Sequence, residues 1–198
     1  MVIIDYGVGN LFSITCGLRK IGLDAEVSSE AKSLSVYDGI VLPGVGNFKS
    51  GAEKLRLLKE EIARCVKNGT PILGICLGMH LLFEKSREAP GRGLGLLRGE
   101  TVRLPKDVKT PHIGWNNLHM ILDNELLNGI DEKDYFYFVH GYYAKPENTN
   151  IVVAETEYGV RFPSVIAKRN IYGTQFHPEK SGKPGRRVLM NFAEIIRR

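Results

Sequence analysis

Through the first half of the chain, short apolar runs alternate with segments in which apolar residues recur every three or four positions. Val2–Asp5 is one such run, ending at the glycine-rich turn Tyr6-Gly7-Val8-Gly9. From Asn10, a good N-cap residue, Leu11, Ile14, Leu18 and Ile21 fall on one helical face, and Gly22 predicts the stop. Strands are predicted over 25–28 and 39–42, the latter closed by Pro43, then a helix over 55–66 halted at Asn68-Gly69. A buried strand over 71–75 and a helix from Leu77 to about Lys85 follow.

After Glu88-Ala89-Pro90-Gly91-Arg92-Gly93 the pattern changes to strands with hairpin-like connections. They are expected around 100–104, 116–119, 135–139, 151–154, 165–168 and 171–175, with a closing helix at about 186–196. Apolar strands alternating with helices predict an α/β fold: a doubly wound, mostly parallel central sheet with helices on both faces, plus antiparallel strands in the C-terminal half. No linker or internal repeat divides the 198 residues, so one domain over 1–198 is expected. In such a sheet, ligands gather beyond the carboxyl ends of the strands. The loops YGVGN, PGVGNF and the corner at Cys76 all leave such ends, and should share one edge.

Composition adds exclusions. With 43% hydrophobic and 25% charged residues the chain is ordinary globular protein, and no apolar run is long enough to span a membrane. Three cysteines at wide spacing are neither a disulfide framework nor a zinc pattern, and with no secretion signal they suit a reducing cytoplasm. The net charge of +5 is scattered without an aromatic–basic motif, which argues against nucleic acid and leaves a protein partner as the sharper alternative to a bland surface. No metal or cofactor is implied.

The chemistry concentrates at Gly74-Ile75-Cys76-Leu77-Gly78, a cysteine between a predicted strand and a predicted helix. A helix N-terminus favours negative charge, and a thiol there tends toward thiolate. Glycines two residues before and after allow a tight turn and the approach of a substrate, as in the G-x-S-x-G nucleophile elbow with cysteine in place of serine. The N–H of Leu77 would point where an oxyanion forms. Cys16 and Cys65 lie inside helical patterns and read as core. A base and its orienter are offered by Gln175-Phe176-His177-Pro178-Glu179-Lys180. If that segment is extended, His177 and Glu179 project the same way, so that Glu179 steadies the imidazole while His177 takes the thiol proton.

GICLGM followed about a hundred residues later by QFHPEK resembles the class I glutamine amidotransferases, which hydrolyse glutamine on a flavodoxin-like core. DYGVGN, LPGVGNF, PHIGWN, FVHGYY and HPEKS narrow the resemblance, over essentially the whole chain, to the glutaminase subunits of imidazole glycerol phosphate synthases in histidine biosynthesis. It implies Cys76 as nucleophile, His177 as base and acid, and Glu179 as orienter. It also implies a second oxyanion N–H from Val45 in the loop Pro43-Gly44-Val45-Gly46. L-glutamine would be held near Gly44, Gly46, residue 80 and the backbone of Gly141 and Tyr142. Asn10, Trp115, Tyr137 and Lys180 match positions facing a barrel-type cyclase subunit, which takes the ammonia within a heterodimer.

The chain departs from the family at two points. His80 stands where glutamine is usual; an imidazole can give or take one hydrogen bond there, and it places a second histidine near the thiol. Gly141 replaces a residue that is often hydroxylic, leaving only backbone contacts. Three other readings stay open at this point: a glutaminase subunit for anthranilate or aminodeoxychorismate synthesis, a different cysteine hydrolase or chaperone-like relative on the same fold, and a non-catalytic binding subunit.

Overall fold

The computed structural model describes the chain from Met1 to Arg198, apart from the side chains of residues 31–33. The first half runs β1 (Val2–Ile4), α1 (Leu11–Arg19), β2 (Glu26–Ser28), β3 (Ile40–Leu42), α2 (Phe48–Leu55), α3 (Lys59–Lys67), β4 (Ile72–Ile75), α4 (Leu77–Leu81) and β5 (Phe83–Ser86). The second half runs β6 (Leu97–Arg103), β7 (His112–Asn116), β8 (His119–Met120), β9 (Phe136–His140), β10 (Tyr142–Pro146), β11 (Val152–Glu157), β12 (Arg161–Lys168), β13 (Ile171–Thr174) and α5 (Gly182–Ile196).

One sheet in the order β2-β1-β3-β4-β13-β12-β11-β8 organises the molecule. Its first five strands are parallel and its last three antiparallel, which is the mixed sheet the sequence predicts. β1, β3, β4 and β13 are buried throughout, because helices cover both faces. Successive side chains alternate between those faces. Val2, Ile4, Ile40, Leu42 and Ile72 join Phe48, Leu55, Ile62 and Met79 from α2, α3 and α4. Ile3, Val41, Leu73 and Ile75 join Ile14, Leu18, Leu189 and Phe192 from α1 and α5. Each fully buried Leu, Ile or Phe contributes about 1.5–3 kcal/mol, so both faces are needed to hold the strands flat together.

Beside this sheet lie a three-stranded sheet, β10-β6-β5, and a two-stranded antiparallel ribbon, β7–β9. The ribbon has two unlike faces. Phe136, Phe138, His112 and His140 turn inward and are buried, whereas Ile113, Trp115 and Tyr137 turn outward.

Several boundaries differ from the sequence pattern, each for a local reason. The helix expected over 77–85 ends at Leu81, and 83–86 becomes a strand. The carbonyls of Leu81, Leu82 and Phe83, which a longer helix would use internally, accept instead from the N–H groups of Leu94, Leu97 and Gly95. The helix expected over 55–66 is α3, starting at Lys59, and a separate α2 precedes it, started by Asn47 accepting from the Ser50 N–H at 2.8 Å. A strand expected over 116–119 is really the gap between β7 and β8, where the chain leaves the ribbon for the central sheet. β10 has no counterpart among the expected strands, and α5 begins four residues earlier than its apolar periodicity indicates.

The three loops do meet on one edge. Tyr6 donates its hydroxyl to the Pro43 carbonyl at 2.5 Å, and burial raises its pKa so that it stays a donor. A Cβ on Gly78 would lie 1.8 Å from the Leu42 carbonyl oxygen, so α4 leaves β4 with its backbone pressed against the end of β3. Gly78→Ala is therefore expected to destabilise the protein by about 3 kcal/mol or more, a loss read directly from urea unfolding of the purified variant.

Candidate active site

Cys76 connects β4 to α4 with φ +53° and ψ −109°, a left-handed conformation in a residue that has a Cβ. Such a backbone costs about 1–3 kcal/mol and persists only where its surroundings enforce it. Here the Cys76 N–H donates to the Thr174 carbonyl at the end of β13 at 2.7 Å, while its own carbonyl accepts from His80 N–H. The side chain is thus aimed off the sheet edge, at the N-terminus of α4. Its Sγ lies 3.8 Å from the Val139 carbonyl oxygen and 3.8 Å from Gln175 Nε2.

His177 follows β13, the strand next to β4, and so emerges on the same edge. Its backbone N–H donates to the Tyr137 carbonyl at 2.9 Å, and its carbonyl accepts from the Ser181 hydroxyl at 2.6 Å. Glu179 does not lie on an extended segment, as the sequence suggests, but in a 3-10 turn at Pro178–Lys180. Pro178 suits the first turn because its missing N–H is not needed there. The ring and carboxylate still meet: His177 Nδ1 and Glu179 Oε1 are 2.8 Å apart, with both side chains almost fully buried. His177 Nε2 and Glu179 Oε2 are buried without a hydrogen-bond partner. Unsatisfied groups of that kind are rare in native proteins outside functional sites.

Burial works against a charge on His177, yet the Cys76 sulfur and the Glu179 carboxylate together raise its pKa to about 10. The other imidazoles nearby behave oppositely. Burial lowers His80 to about 4, although its Nε2–H donates to Gln175 Oε1 at 2.8 Å. His140 is lowered to about 3 by burial, with its Nδ1–H donating to the Tyr142 carbonyl at 2.9 Å. His112, lowered to about 4 by burial, then donates from Nδ1 to His140 Nε2 at 3.1 Å.

A cavity of about 170 Å³ opens beside the sulfur, lined by Val45, Gly46, Cys76, Leu77, His80, Glu88 and the stretch from Val139 to Tyr142. That is the scale of a small metabolite, since about 150 Å³ accommodates a benzene-sized ligand. A larger groove of about 550 Å³ near Ile121 and Leu122 has no cysteine, serine or histidine in its wall. Of the expected substrate contacts, Gly46, His80, Gly141 and Tyr142 line the cavity, with Gly46 at φ +115°. Gly44 stands behind the wall, where a Cβ would come within 2.6 Å of the Tyr6 hydroxyl and 2.8 Å of Leu77 Cβ. His80 reaches the wall, but its Nε2 is already committed to Gln175. Glu88 was not anticipated from the sequence. It sits in an irregular loop with no motif around it, and only the fold shows its carboxylate in the cavity wall, with Oε2 accepting from the Phe48 N–H at 2.8 Å.

The residues expected at a partner face group differently. Trp115 is 56% exposed and packs edge-on against Tyr137 at 5.8 Å, and Lys180 Nζ lies 5.9 Å from the Tyr137 ring centre. Asn10 caps α1, its Oδ1 accepting from the Ser13 N–H at 3.0 Å.

A family model described as glutamine amidotransferase class-I matches residues 2–196. The chain belongs to this family. It is 51% identical to the imidazole glycerol phosphate synthase subunit HisH of Methanothermobacter thermautotrophicus, over 100% of this chain and 99% of that protein. The HisH subunit of Caldanaerobacter subterraneus subsp. tengcongensis is 46% identical, over 98% of each. Among solved structures, one of PurLQS from Thermotoga maritima superposes with a TM-score of 0.80 at 20% identity, covering 98% of this chain and 97% of that one. A crystal structure of a glutamine amidotransferase gives a TM-score of 0.80 at 18% identity, over 100% and 99%. At those identities the two structures speak for the fold. Among the described residues, no helix is long and apolar enough to cross a membrane.

The charge on His177 has a measurable consequence. Replacing Cys76 with Ala removes the largest influence that raises its pKa, and the midpoint should fall from about 10 by about one pH unit or more, as read by NMR titration of labelled imidazoles. Because the folded value is raised, the associated stability is complete below the unfolded value of 6.5 and is lost as pH rises through about 10. Cys76→Ala should flatten that alkaline loss in denaturation curves taken between those limits.

Proposed function

We propose that this chain is the glutaminase subunit of imidazole glycerol phosphate synthase. It would hydrolyse L-glutamine to L-glutamate and ammonia and pass the ammonia to a barrel-type cyclase subunit in a cytoplasmic heterodimer, acting as one amidotransferase domain over 1–198. The observation that carries the chemistry is the meeting of Cys76 with His177, itself paired to Glu179, beside an amino-acid-sized cavity that Cys76 lines. The pathway rests on the HisH relatives, which are named as subunits of that synthase.

The Cys76 thiolate attacks the side-chain amide carbon of glutamine, and a tetrahedral oxyanion forms. The Leu77 N–H, free at the first turn of α4, and the Val45 N–H stabilise it. The His177 imidazolium protonates the departing nitrogen, ammonia leaves, and a γ-glutamyl thioester remains. Neutral His177 then takes a proton from water, which attacks the thioester, and collapse of the second intermediate frees glutamate and restores the thiolate. Glu179 keeps Nδ1 protonated, so Nε2 is the nitrogen that exchanges protons with the reacting atoms. Glu88, the one carboxylate in the cavity wall, pairs with the α-ammonium of glutamine.

Ammonia leaves toward the ribbon. The Val139 carbonyl is 3.8 Å from the sulfur, and Tyr137, two residues along the same strand, lies half-buried on the face that exposes Trp115 and Ile113. Lys180 over the Tyr137 ring marks the rim of that face. A cyclase subunit seated there would close the exit from solvent.

Two measurements test this. Cys76→Ala should abolish glutaminase turnover while still co-purifying with the cyclase partner; turnover retained in that variant would sink the scheme. Glu88→Gln keeps an acceptor for the Phe48 N–H but loses the charge, so KM for glutamine should rise about tenfold or more with a smaller change in kcat.

A further inference from the structure

His80 occupies the cavity wall, yet its hydrogen-bonding nitrogen faces away from the space a substrate would fill. The Nε2–H donates to Gln175 Oε1 at 2.8 Å, and Gln175 Nε2 in turn lies 3.8 Å from the Cys76 sulfur. Gln175 is fully buried, and His80 is 5% exposed. The backbone of Gln175 is fixed as well, its N–H donating to the Ser164 carbonyl at 2.9 Å.

We infer that Gln175 is a direct hydrogen-bond donor to the Cys76 thiolate and that His80 is the positioning residue that holds the Gln175 amide in the donating orientation. A side-chain amide can present either its oxygen or its NH₂ to a neighbour. A thiolate accepts hydrogen bonds and gives none, so only the NH₂ orientation favours the nucleophile. The His80 Nε2–H secures that orientation, because the Gln175 oxygen must then turn toward the imidazole. With His80 in its Nε2–H tautomer the flipped amide would set NH₂ against N–H. In the Nδ1–H tautomer a flip would satisfy the imidazole but still set the amide oxygen against the thiolate, so only the Nε2–H tautomer satisfies both neighbours. The relay is buried, and hydrogen bonds to a charged acceptor strengthen in such surroundings.

His80 also suits the task electrostatically. Burial keeps its pKa at about 4, so it is a neutral donor beside the His177 imidazolium and adds no second positive charge. The consequence is that this chain uses position 80 to organise its nucleophile, leaving glutamine to the backbone from Val139 to Tyr142, Gly46 and Glu88. The inference rests on the glutaminase reading only for its effect on turnover.

Alkylation of Cys76 by iodoacetamide in the isolated protein, followed at pH 7 by peptide mass spectrometry that separates Cys76 from Cys16 and Cys65, tests the relay without glutamine or a partner. His80→Leu should slow alkylation about tenfold or more, and His80→Gln, which restores an N–H donor, should return it to within about threefold of the parent. Gln175→Glu keeps the shape but offers no N–H, and should slow alkylation at least as much; it carries the test if His80→Leu does not fold. In glutamine hydrolysis, His80→Leu should lower kcat with little change in KM. An unchanged alkylation rate in both His80→Leu and Gln175→Glu overturns the proposal, as does a raised KM with kcat preserved in His80→Leu. Altered alkylation in a protein that hydrolyses no glutamine would instead uphold the relay and reject the glutaminase reading.

Discussion

The site depends on how one strand ends. At Cys76 the backbone turns left-handed and the chain passes from β4 into α4 within a single residue, with the Cys76 N–H tied to Thr174 on the neighbouring strand. Gly78 lies so close to the Leu42 carbonyl that no side chain fits between them. A helix of five residues has little stability of its own, because nucleation alone outweighs the few hydrogen bonds it can form. Packing against β3 and β13 holds it, and the same packing enforces the strained φ that aims the sulfur at the cavity. Because β4 lies between β3 and β13 in a parallel sheet, the loop Pro43-Gly44-Val45-Gly46, Cys76 and His177 all leave the same edge.

Electrostatics divides the histidines according to their partners. His80, His112 and His140 are buried against neutral acceptors or donors, and desolvation drives all three toward the uncharged form. His177 is equally buried but has the Glu179 carboxylate on one side and the Cys76 sulfur on the other, and its proton is retained. One imidazolium among neutral rings confines the positive charge to the place where a leaving amine would need a proton. Histidine count and position alone could not make that distinction, since every ring lies in strand-like or motif-bearing sequence.

The β7–β9 ribbon joins the site to the surface. Its inner face stacks His112 against Phe138 and Tyr158, with ring centres 5.1 and 4.0 Å apart, and the Val139 carbonyl of its β9 strand lies beside the sulfur. Its outer face carries Ile113 and Trp115 into solvent, with Tyr137 half-buried beside Trp115. An exposed apolar stripe rimmed by a lysine is the character of a protein contact surface. A ribbon only two strands wide thereby connects the cavity beside Cys76 and this apolar face through the thickness of one backbone.

Period and punctuation in the sequence determined much of this. The alternation of apolar runs with helical spacing fixed a parallel sheet covered on both faces, because burial on both sides demands uninterrupted apolar strands. Glycines around Cys76 and the proline after His177 marked the two ends where the chemistry lies, and a Cβ at Gly74 or Gly78 would collide with the α4 backbone or the Leu42 carbonyl. Glu179 was found for a partly mistaken reason: it reaches His177 from a 3-10 turn and not along an extended segment. Tertiary structure alone decided where α4 stops, because the carbonyls of residues 81–83 are taken by a loop more than ten residues later. It alone brought Glu88 into the cavity, set His80 against Gln175 across 95 positions of chain, and selected His177 as the charged ring. Those outcomes depend on distances between segments far apart in sequence and on the solvent they exclude, and local pattern carries neither.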